Sequence, residues 1–398
     1  MTAPQAHGQD SIPAASAYRM WPLYAAGFTT AFGAHGIAAN LGQGGAELTR
    51  SVLYLGVLLA LYDGAEVVLK PFFGSLADRV GARPVLLGGL AAFAAASFLF
   101  VVVRDPGWLW AARLGQGAAA SAFSPAASAL VARLIPATGH GRAFGSYGFY
   151  KSVGYTAGPL MGGVLVWAGG LSLLLAVLAV LAAAVAIWAA LAVPAVPPLP
   201  KTRQTVVELA RRLTDGAFLR PVAALAATTA ALSVGVGFLP LSGAVAGLSP
   251  LVTGAAVSVL ALCAALTQPW AGRALDAGRL TVRTGLVAGL FLAACGLAAA
   301  ILPGLPGVLL AAALIGVGTG LVTPLGFAAL ASMAPPERLG QTMGAAELGR
   351  ELGDAGGPLL VAAVAVAATL TWGYATLAVV TILLPVALTA RRTRPAHD

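Results

Sequence analysis

The chain has 398 residues, of which 59% are hydrophobic and only 9% are charged, and its mean hydropathy is +0.88. Because a soluble globular domain carries about 25% charged residues, this composition excludes an ordinary soluble protein. Apolar stretches of about 18 residues or more recur along the whole length and predict a membrane protein with many spans.

The spans are predicted to be α-helices. Helices satisfy every backbone polar group in lipid, and the alternating strands of a membrane barrel are absent. We therefore predict an all-α membrane protein with twelve transmembrane helices. They lie near residues 18–42, 51–73, 83–103, 107–135, 142–168, 171–193, 219–245, 249–271, 281–302, 305–333, 340–369 and 371–390.

A proline cluster between the sixth and seventh spans cannot continue a helix and divides the chain into two halves. We predict a disordered cytoplasmic tail over 1–17 and a six-helix bundle over 18–193. The first bundle is followed by a cytoplasmic linker over 194–218, a second six-helix bundle over 219–390 and a cytoplasmic tail over 391–398. No apolar segment with a cleavage site precedes the first span, so no cleaved signal peptide is predicted.

The net charge of +9 describes topology rather than a nucleic-acid partner. With a cytoplasmic N-terminus, the outer loops hold only Arg50 and Arg104, whereas eighteen basic residues face inward, a strong positive-inside bias. The inner set is Arg19, Lys70, Arg79, Arg83, Arg133, Arg142, Lys201, Arg203, Arg211, Arg212, Arg220, Arg273, Arg279, Arg283, Arg338, Arg391, Arg392 and Arg394. We predict a plasma (inner) membrane protein with both termini in the cytoplasm.

Charged residues inside the apolar stretches are the strongest sign of function. A charge at the bilayer centre costs about 2.5–3.5 kcal/mol even on a lenient insertion scale. The five acids and three bases sum to −2 when all are ionised, so at least one carboxylate is predicted to bind a proton. The eight residues are Asp63, Glu66, Arg113, Lys151, Glu347, Arg350, Glu351 and Asp354.

The two halves resemble each other at an offset of about 198–199 residues, which indicates duplicated bundles. Such repeats are typical of transporters that bind substrate at the interface between repeats. The matched pairs are Gly141 and Gly340, Gly145 and Gly344, Lys151 and Arg350, Gly154 and Gly353, Gly158 and Gly357, Pro159 and Pro358, Gly74 and Gly272, and Asp78 and Asp276.

Three motifs resemble those of the major facilitator superfamily. The loop after the second span carries Gly74, Asp78, Arg79, Gly81 and Arg83, which is similar to the signature of the superfamily. The fourth span carries Arg113, Gln116 and Gly117, which resemble its helix-4 motif. The fifth span carries Gly154, Gly158, Pro159, Gly162 and Gly163, which resemble the motif associated with drug:proton antiporters. The second-half loop departs from the signature, because Ala277 rather than a basic residue follows Asp276.

The resemblance implies that helices 2 and 11 lie side by side across the gap between the halves. Asp63, Glu66 and Lys70 share one helix face, as do Glu347, Arg350, Glu351 and Asp354. We predict a polar cluster that pairs Asp63 with Arg350 and Lys70 with Glu347, and that closes the cytoplasmic side. Static ion pairs that hold the bundle together are the alternative for part of this set.

Other residues are predicted to line the substrate pocket: His35, Tyr147, Tyr150, Lys151 and Tyr155. Their aromatic rings could stack on a ligand. Lys151 could instead pair with an acid, and His35 could be a hydrogen-bonded core residue. For Arg113, the resemblance implies a role in proton coupling, and the alternative is an arginine that snorkels to the outer interface. The glycines from 154 to 163 are predicted to let helix 5 bend or pack closely against the other half.

The sequence predicts a proton-coupled efflux antiporter of lipophilic or cationic small molecules. The alternative is an uptake symporter of a small metabolite or organic anion, and a third class is a sensor or scaffold that transports nothing. We predict no enzymatic activity, cofactor, metal site or nucleic-acid partner, because no phosphate-binding glycine loop and no Cys or His cluster occurs. Substrate, protons and the lipid bilayer are the predicted partners of a monomer.

Overall fold

A computed structural model describes residues 17–40, 52–103, 108–198 and 215–390. The first half contains α1 (Ala17–Asn40), α2 (Val52–Val80), α3 (Ala82–Val103) and α4 (Leu109–Leu134). A single helical segment, His140–Ala192, follows and is interrupted by non-helical backbone at Gly169 and Gly170. We name its two parts α5 (140–168) and α6 (171–192).

The second half has the same organisation. It contains α7 (Gly216–Val245), α8 (Pro250–Asp276), α9 (Val282–Ala299), α10 (Gly304–Met333), α11 (Leu339–Ala367) and α12 (Leu370–Ala390). The described residues thus form twelve α-helices, two short 3-10 helices and no strand, which confirms the all-α prediction. The predicted domain boundaries stay predictions, since 1–16, most of the linker and 391–398 lie outside the described residues.

Six helical segments in the described ranges are long and apolar enough to cross a membrane by length and composition. They are Ala82–Val102, Ala137–Ala192, Gly216–Val245, Val252–Asp276, Val282–Ala299 and Gly304–Met333. The segment Ala137–Ala192 has 56 residues, enough for two crossings at about 20 residues each. The other helices include α2 and α11, which carry the charged residues described below.

Helix α2 is longer than predicted. The sequence prediction ends the span at 73, whereas the helix continues through Pro71 and Gly74 to Val80. Most of the loop signature therefore lies on the last two turns of α2. The helix stops at Gly81, whose φ of 100° lies in the left-handed region that glycine adopts without strain.

The halves meet along two equivalent helix pairs, α2 with α11 and α5 with α8. Within each half, α1 packs on the segment that holds α5 and α6, and α7 packs on α11. The pairing of α2 with α11 is the arrangement that the family resemblance implies. It places the charged faces of both helices at the boundary between the halves.

The glycines of α5 correct one prediction. They pack against α1 in the same half and not against the other half. A Cβ atom on Gly158 would lie 2.9 Å from the Gly36 nitrogen, and one on Gly162 would lie 2.9 Å from the Gly36 oxygen. Glycines four residues apart form one stripe along a helix, and this stripe faces α1. The glycines that face the other half lie earlier on α5, at Gly141, Gly145 and Gly148.

The close approach of α1 and α5 gives a testable prediction. We expect Gly158→Val to destabilise the protein by about 1–3 kcal/mol or more, because the added carbons meet backbone that cannot move aside. Gly356→Val is the matched control, since a Cβ atom at Gly356 meets nothing within 4 Å. Thermal unfolding in detergent measures both, and equal melting temperatures would contradict the prediction.

Candidate functional site

Two aspartates join the halves at one end of the bundle. The Asp78 carboxylate accepts hydrogen bonds from the backbone nitrogens of Gly340 and Gln341, both at 2.7 Å. These nitrogens belong to the first turn of α11, where the helix dipole favours an anion. We call this end, where α2 ends and α11 begins, the closed end.

The second aspartate makes the equivalent contact. Asp276, at the end of α8, accepts from the backbone nitrogens of Gly141 and Arg142 at the start of α5, both at 2.8 Å. The missing basic residue after Asp276 therefore does not abolish this contact. The internal repeat thus has a structural counterpart, because Asp78 and Asp276 perform the same role in related positions.

Glycines let the backbones of the two halves touch beside each aspartate. A Cβ atom on Gly74 would meet the Gly340 oxygen and would lie 3.2 Å from the Cα atom of Gly344. The equivalent pair, Gly141 and Gly272, is equally close. No larger residue fits at these positions while the closed end stays closed.

The two signature arginines lie nearby. Arg79 is in the last turn of α2, where a cation is favoured by the helix dipole. Arg83, at the start of α3, donates from Nη2 to the Ala190 oxygen of α6 at 2.5 Å. The signature thus joins three helices of the first half as well as the two halves.

Deeper in the bundle, six charged groups form one buried network between α2, α5 and α11. The Lys70 Nζ atom lies 2.6 Å from Glu66 and 2.5 Å from Glu351. Glu347 is completely buried and lies 3.0 Å from Lys151 and 3.6 Å from Arg350. The contacts around Lys70 join those around Glu347, because the Lys70 Nζ atom lies 3.9 Å from the Glu347 Oε2 atom. With three acids and three bases, the network is neutral when all six groups are ionised.

These contacts revise the predicted pairing. Lys70 does approach Glu347, but its shorter contacts are to Glu66 and Glu351. In the described part of the chain, Arg350 pairs with Glu347 of its own helix and forms no ion pair with Asp63. The sequence left open whether Lys151 pairs with an acid. In the structure, Lys151 pairs with Glu347 of the other half.

The charge count also changes, because Lys70 is only 1% exposed and belongs inside the bundle rather than on the cytoplasmic surface. The set of charged residues within the helices then has five acids and four bases, for a sum of −1 rather than −2. The positive-inside comparison becomes seventeen inner basic residues against two outer ones, so the direction of the bias is unchanged.

Arg113 is buried rather than snorkelling, with 1% of its surface exposed. Its guanidinium carbon lies 4.4 Å from the centre of the Tyr62 ring, a cation–π contact. Its Nη1 donates to the Gln116 oxygen at 3.4 Å, and Gln116 donates to Ser97 at 2.8 Å. Arg113 is thus oriented by its neighbours toward the charged groups of α2.

A polar cavity of about 110 Å³ lies beside the network, on the side away from the closed end. Asp63 of α2 and Asp354 of α11 face it from opposite halves, and neither forms an ion pair in the described residues. The other titratable side chains that line it are His35, Tyr62, Glu66, Lys70, Arg113, Lys151, Tyr155 and Glu351. Asp63 is exposed and Asp354 is half-buried, so these two carboxylates are less enclosed than the charged groups of the network.

The predicted pocket residues separate into two groups. His35, Lys151 and Tyr155 line the cavity, and the His35 ring meets the Tyr155 ring edge-on at 4.3 Å. Tyr150 instead stacks on Tyr24 at 5.4 Å, and Tyr147 is buried against Gly27. Neither of these two tyrosines lines the cavity of this conformation.

Sequence reasoning missed several polar residues that support the site. Tyr62 donates to Glu66 at 3.0 Å and carries Arg113 on its ring, and its spacing of four residues from Glu66 could have indicated this. Gln268 of α8 donates to Ser152 of α5 at 2.7 Å across the halves. No group of three or more His, Cys, Asp or Glu in the described ranges is arranged to hold a metal ion.

Residues 23–398 match one family model in two overlapping segments. A family model described as Major Facilitator Superfamily matches residues 23–251 and 224–398. Two solved structures share the fold. The human organic anion transporter MFSD10 (TETRAN) has a TM-score of 0.75 and 18% identity, over 94% of this chain and 97% of that one. FucP in its outward conformation has a TM-score of 0.73 and 15% identity, over 93% of this chain and 98% of FucP.

Curated relatives match over a shorter stretch. The chain is 33% identical to the multidrug resistance protein MdtH of Cronobacter sakazakii over 29% of each protein. It is 29% identical to the quinolone resistance protein NorA of Staphylococcus aureus over 28% of this chain and 29% of NorA. It is 35% identical to the class H tetracycline resistance protein of Pasteurella multocida over 28% of each. The matched region spans less than a third of these relatives.

Proposed function

The chain belongs to the major facilitator superfamily, and from this premise we propose that it is a proton-coupled antiporter that exports lipophilic or cationic small molecules. The curated relatives named for drug resistance support export. One observation carries the proposal: Asp63 and Asp354 face the same cavity from opposite halves, and neither forms an ion pair among the described residues.

The charge balance explains why these two carboxylates would exchange a proton for a cation. The network of six charges is neutral by itself, so Asp63, Asp354 and Arg113 carry the remaining sum of −1. One proton or one monovalent cation on the carboxylate pair brings the sum to zero. Uncompensated charge is costly in a medium of low dielectric constant. The proton and the cationic substrate therefore exclude each other from the carboxylate pair.

Alternating access would connect this exchange to the two sides of the membrane. In our proposal, the closed end faces the cytoplasm, as the positive-inside bias indicates. The Asp78 and Asp276 contacts hold that side shut while the cavity opens outward, where a proton replaces the substrate. Breaking both contacts would let the halves rock and expose the cavity to the cytoplasm. We further propose a monomer in the plasma membrane with both termini in the cytoplasm.

The contacts of the cations weigh against the alternative of anion uptake. An anion would need free cations in the pocket, but Lys151 and Arg350 already share Glu347, and Lys70 is held by two carboxylates. Arg113 lies over Tyr62 instead. Lys70 and Lys151 also line the cavity but are held by carboxylates, whereas Asp63 and Asp354 have no ion-pair partner among the described residues. This difference favours a cationic ligand.

Accumulation of ethidium, a fluorescent lipophilic cation, in cells that express the chain tests the proposal. We expect expressing cells to accumulate several-fold less ethidium than cells with an empty vector, and an uncoupler to abolish the difference. The uncoupler acts on the proton gradient, so its effect separates proton-driven export from slower entry. Higher accumulation in expressing cells would instead support uptake, and equal accumulation would contradict export of this class of cation.

A further inference from the structure

An apolar groove of about 380 Å³ lies on the outer face of the first half, between α2, α3 and α4. Its twelve lining residues are all Gly, Ala, Pro, Val, Leu or Phe, and it shares none of them with the polar cavity described above. Val80 of α2 and Pro84, Gly88 and Ala92 of α3 line the groove and are exposed. Because the exposed apolar surface of a membrane-spanning bundle contacts lipid tails, the groove opens toward the bilayer.

Small residues on α4 leave the space for this groove. They are three and four positions apart and therefore share one face of the helix. Helix α10 of the second half carries larger side chains at the positions 199 residues later. The matched pairs are Gly115 and Leu314, Ala118 and Val317, and Ala122 and Leu321. The groove is thus a feature of the first half that the internal repeat does not require.

The dimensions of the groove suit one lipid acyl chain. It begins beside Val80 and Pro84, next to the closed end, and continues along α3 to Ala92, a length of about 12 Å at about 1.5 Å per residue. The hydrocarbon layer of one leaflet is about 15 Å deep, which is half of a core of about 30 Å. An apolar cavity offers water no polar partners but binds apolar groups, so an acyl chain rather than water fills the groove.

An arginine without an ion-pair partner lies at the same end of the groove. Arg79 directly precedes Val80 and follows Leu76 by three residues, and both neighbours line the groove, so the Arg79 side chain starts beside it. Arg79 is exposed and forms no ion pair within the described ranges. The adjacent Asp78 is turned to α11, where it accepts from two backbone nitrogens. A basic residue at the membrane surface attracts anionic headgroups.

We infer that this groove binds one acyl chain of an anionic phospholipid from the leaflet on the closed-end side, with the lipid phosphate at Arg79. The lipid then lies against the last two turns of α2. The same turns carry Gly74 and Asp78, which contact α11 at the closed end. A bound lipid therefore supports the part of α2 that closes the bundle. This assignment does not depend on which compound the protein exports.

Photolabelling of the unmodified protein tests the site. Purified protein is placed in phosphatidylcholine vesicles with a small share of phosphatidylglycerol that carries a photoreactive group in its acyl chain, and mass spectrometry maps the labelled residues. We expect labelling of 84–92 and 115–122 to be several-fold stronger than labelling of Val180 and Ile187, which are exposed on α6. We expect excess unlabelled phosphatidylglycerol to remove the difference. Labelling of the groove no stronger than that of α6 would overturn the site.

Gly88→Leu fills the groove with a side chain of the protein. A Cβ atom at Gly88 meets nothing within 4 Å, so leucine fits without displacing backbone and occupies the space of the acyl chain. We expect labelling of the groove to fall about fivefold or more, since two groups cannot share one close-packed volume. Gly237→Leu on α7 is the matched control, because Gly237 is also exposed, has equal space for a Cβ atom and lies outside the groove. Equal labelling of the groove in the two variants would overturn the placement of the chain.

Arg79→Gln tests the headgroup. We expect the ratio of labelling by phosphatidylglycerol to labelling by phosphatidylcholine with the same chains to fall about fivefold, as for the loss of one basic residue at an anionic membrane surface. An unchanged ratio would overturn the role of Arg79. Removal of the groove labelling by ethidium, and not by unlabelled phosphatidylglycerol, would assign the groove to the substrate and overturn the lipid. None of these measurements needs transport, so they decide the site even if the protein exports no ethidium.

Discussion

Glu347→Gln is expected to destabilise the protein by about 3–5 kcal/mol and to abolish transport. Glu347 is completely buried and lies within 4 Å of Lys151, Arg350 and Lys70. Its neutralisation leaves the network with a charge of +1, and the removal of one partner from a buried ion pair typically costs this much. Thermal unfolding of the purified variant in detergent measures the loss.

A double variant separates charge balance from function. Lys151→Met combined with Glu347→Gln removes one charge of each sign and restores a neutral network. We expect it to recover most of the stability, because replacing a buried pair by neutral groups is often neutral or favourable. We expect no recovery of transport, since the ion pair of Lys151 and Glu347 no longer links α5 to α11 across the halves. If the double variant were no more stable than Glu347→Gln, the loss of stability would come from altered packing and not from the unbalanced charge.

Gly74→Val is expected to prevent the closed end from forming and to lower transport by at least about 10-fold. Its added carbons would occupy the space of the Gly340 backbone, and a barrier of 1.4 kcal/mol already slows a step tenfold. The halves would then stay apart at this end. Gly64→Val on the same helix is the control, because a Cβ atom at Gly64 meets nothing within 4 Å.

An accessibility measurement reports the conformation directly. Thr342 lies at the closed end and is only 3% exposed. The measurement uses Thr342→Cys in a protein whose Cys263 and Cys295 are replaced by serine. We expect a membrane-impermeant thiol reagent to label this cysteine from the closed-end side much faster in Gly74→Val than in Gly64→Val. Equal labelling rates would show that the contact of Gly74 with Gly340 does not control opening.

The sequence predicted the fold and the charged residues because the bilayer restricts both. Long apolar runs mark helices, and a charged residue inside such a run is rare enough to indicate function. The repeat also predicted equivalent positions, and Asp78 and Asp276 make equivalent contacts. The family resemblance implied that α2 and α11 are neighbours, and they are.

The partner of each charge could not be predicted from spacing. Asp63 and Arg350 were predicted to pair because they lie on charged faces of neighbouring helices. A shared face does not fix which way a long side chain points, and Arg350 reaches Glu347 instead. Lys70 looked like a surface residue because it lies near the predicted end of its span. The helix continues to Val80, so Lys70 is inside the bundle. The glycine stripe of α5 indicated close packing but not which helix it meets.

Proton movement per exported ethidium, measured in vesicles that contain purified protein, shows whether Asp63 and Asp354 exchange a proton for the exported cation. We expect an imposed proton gradient to drive ethidium transport by the unmodified protein. We also expect Asp63→Asn and Asp354→Asn each to lose that response and to bind ethidium more weakly, because either substitution has the same charge as the protonated pair. Transport by both variants with the same dependence on the proton gradient as the unmodified protein would contradict exchange at this carboxylate pair.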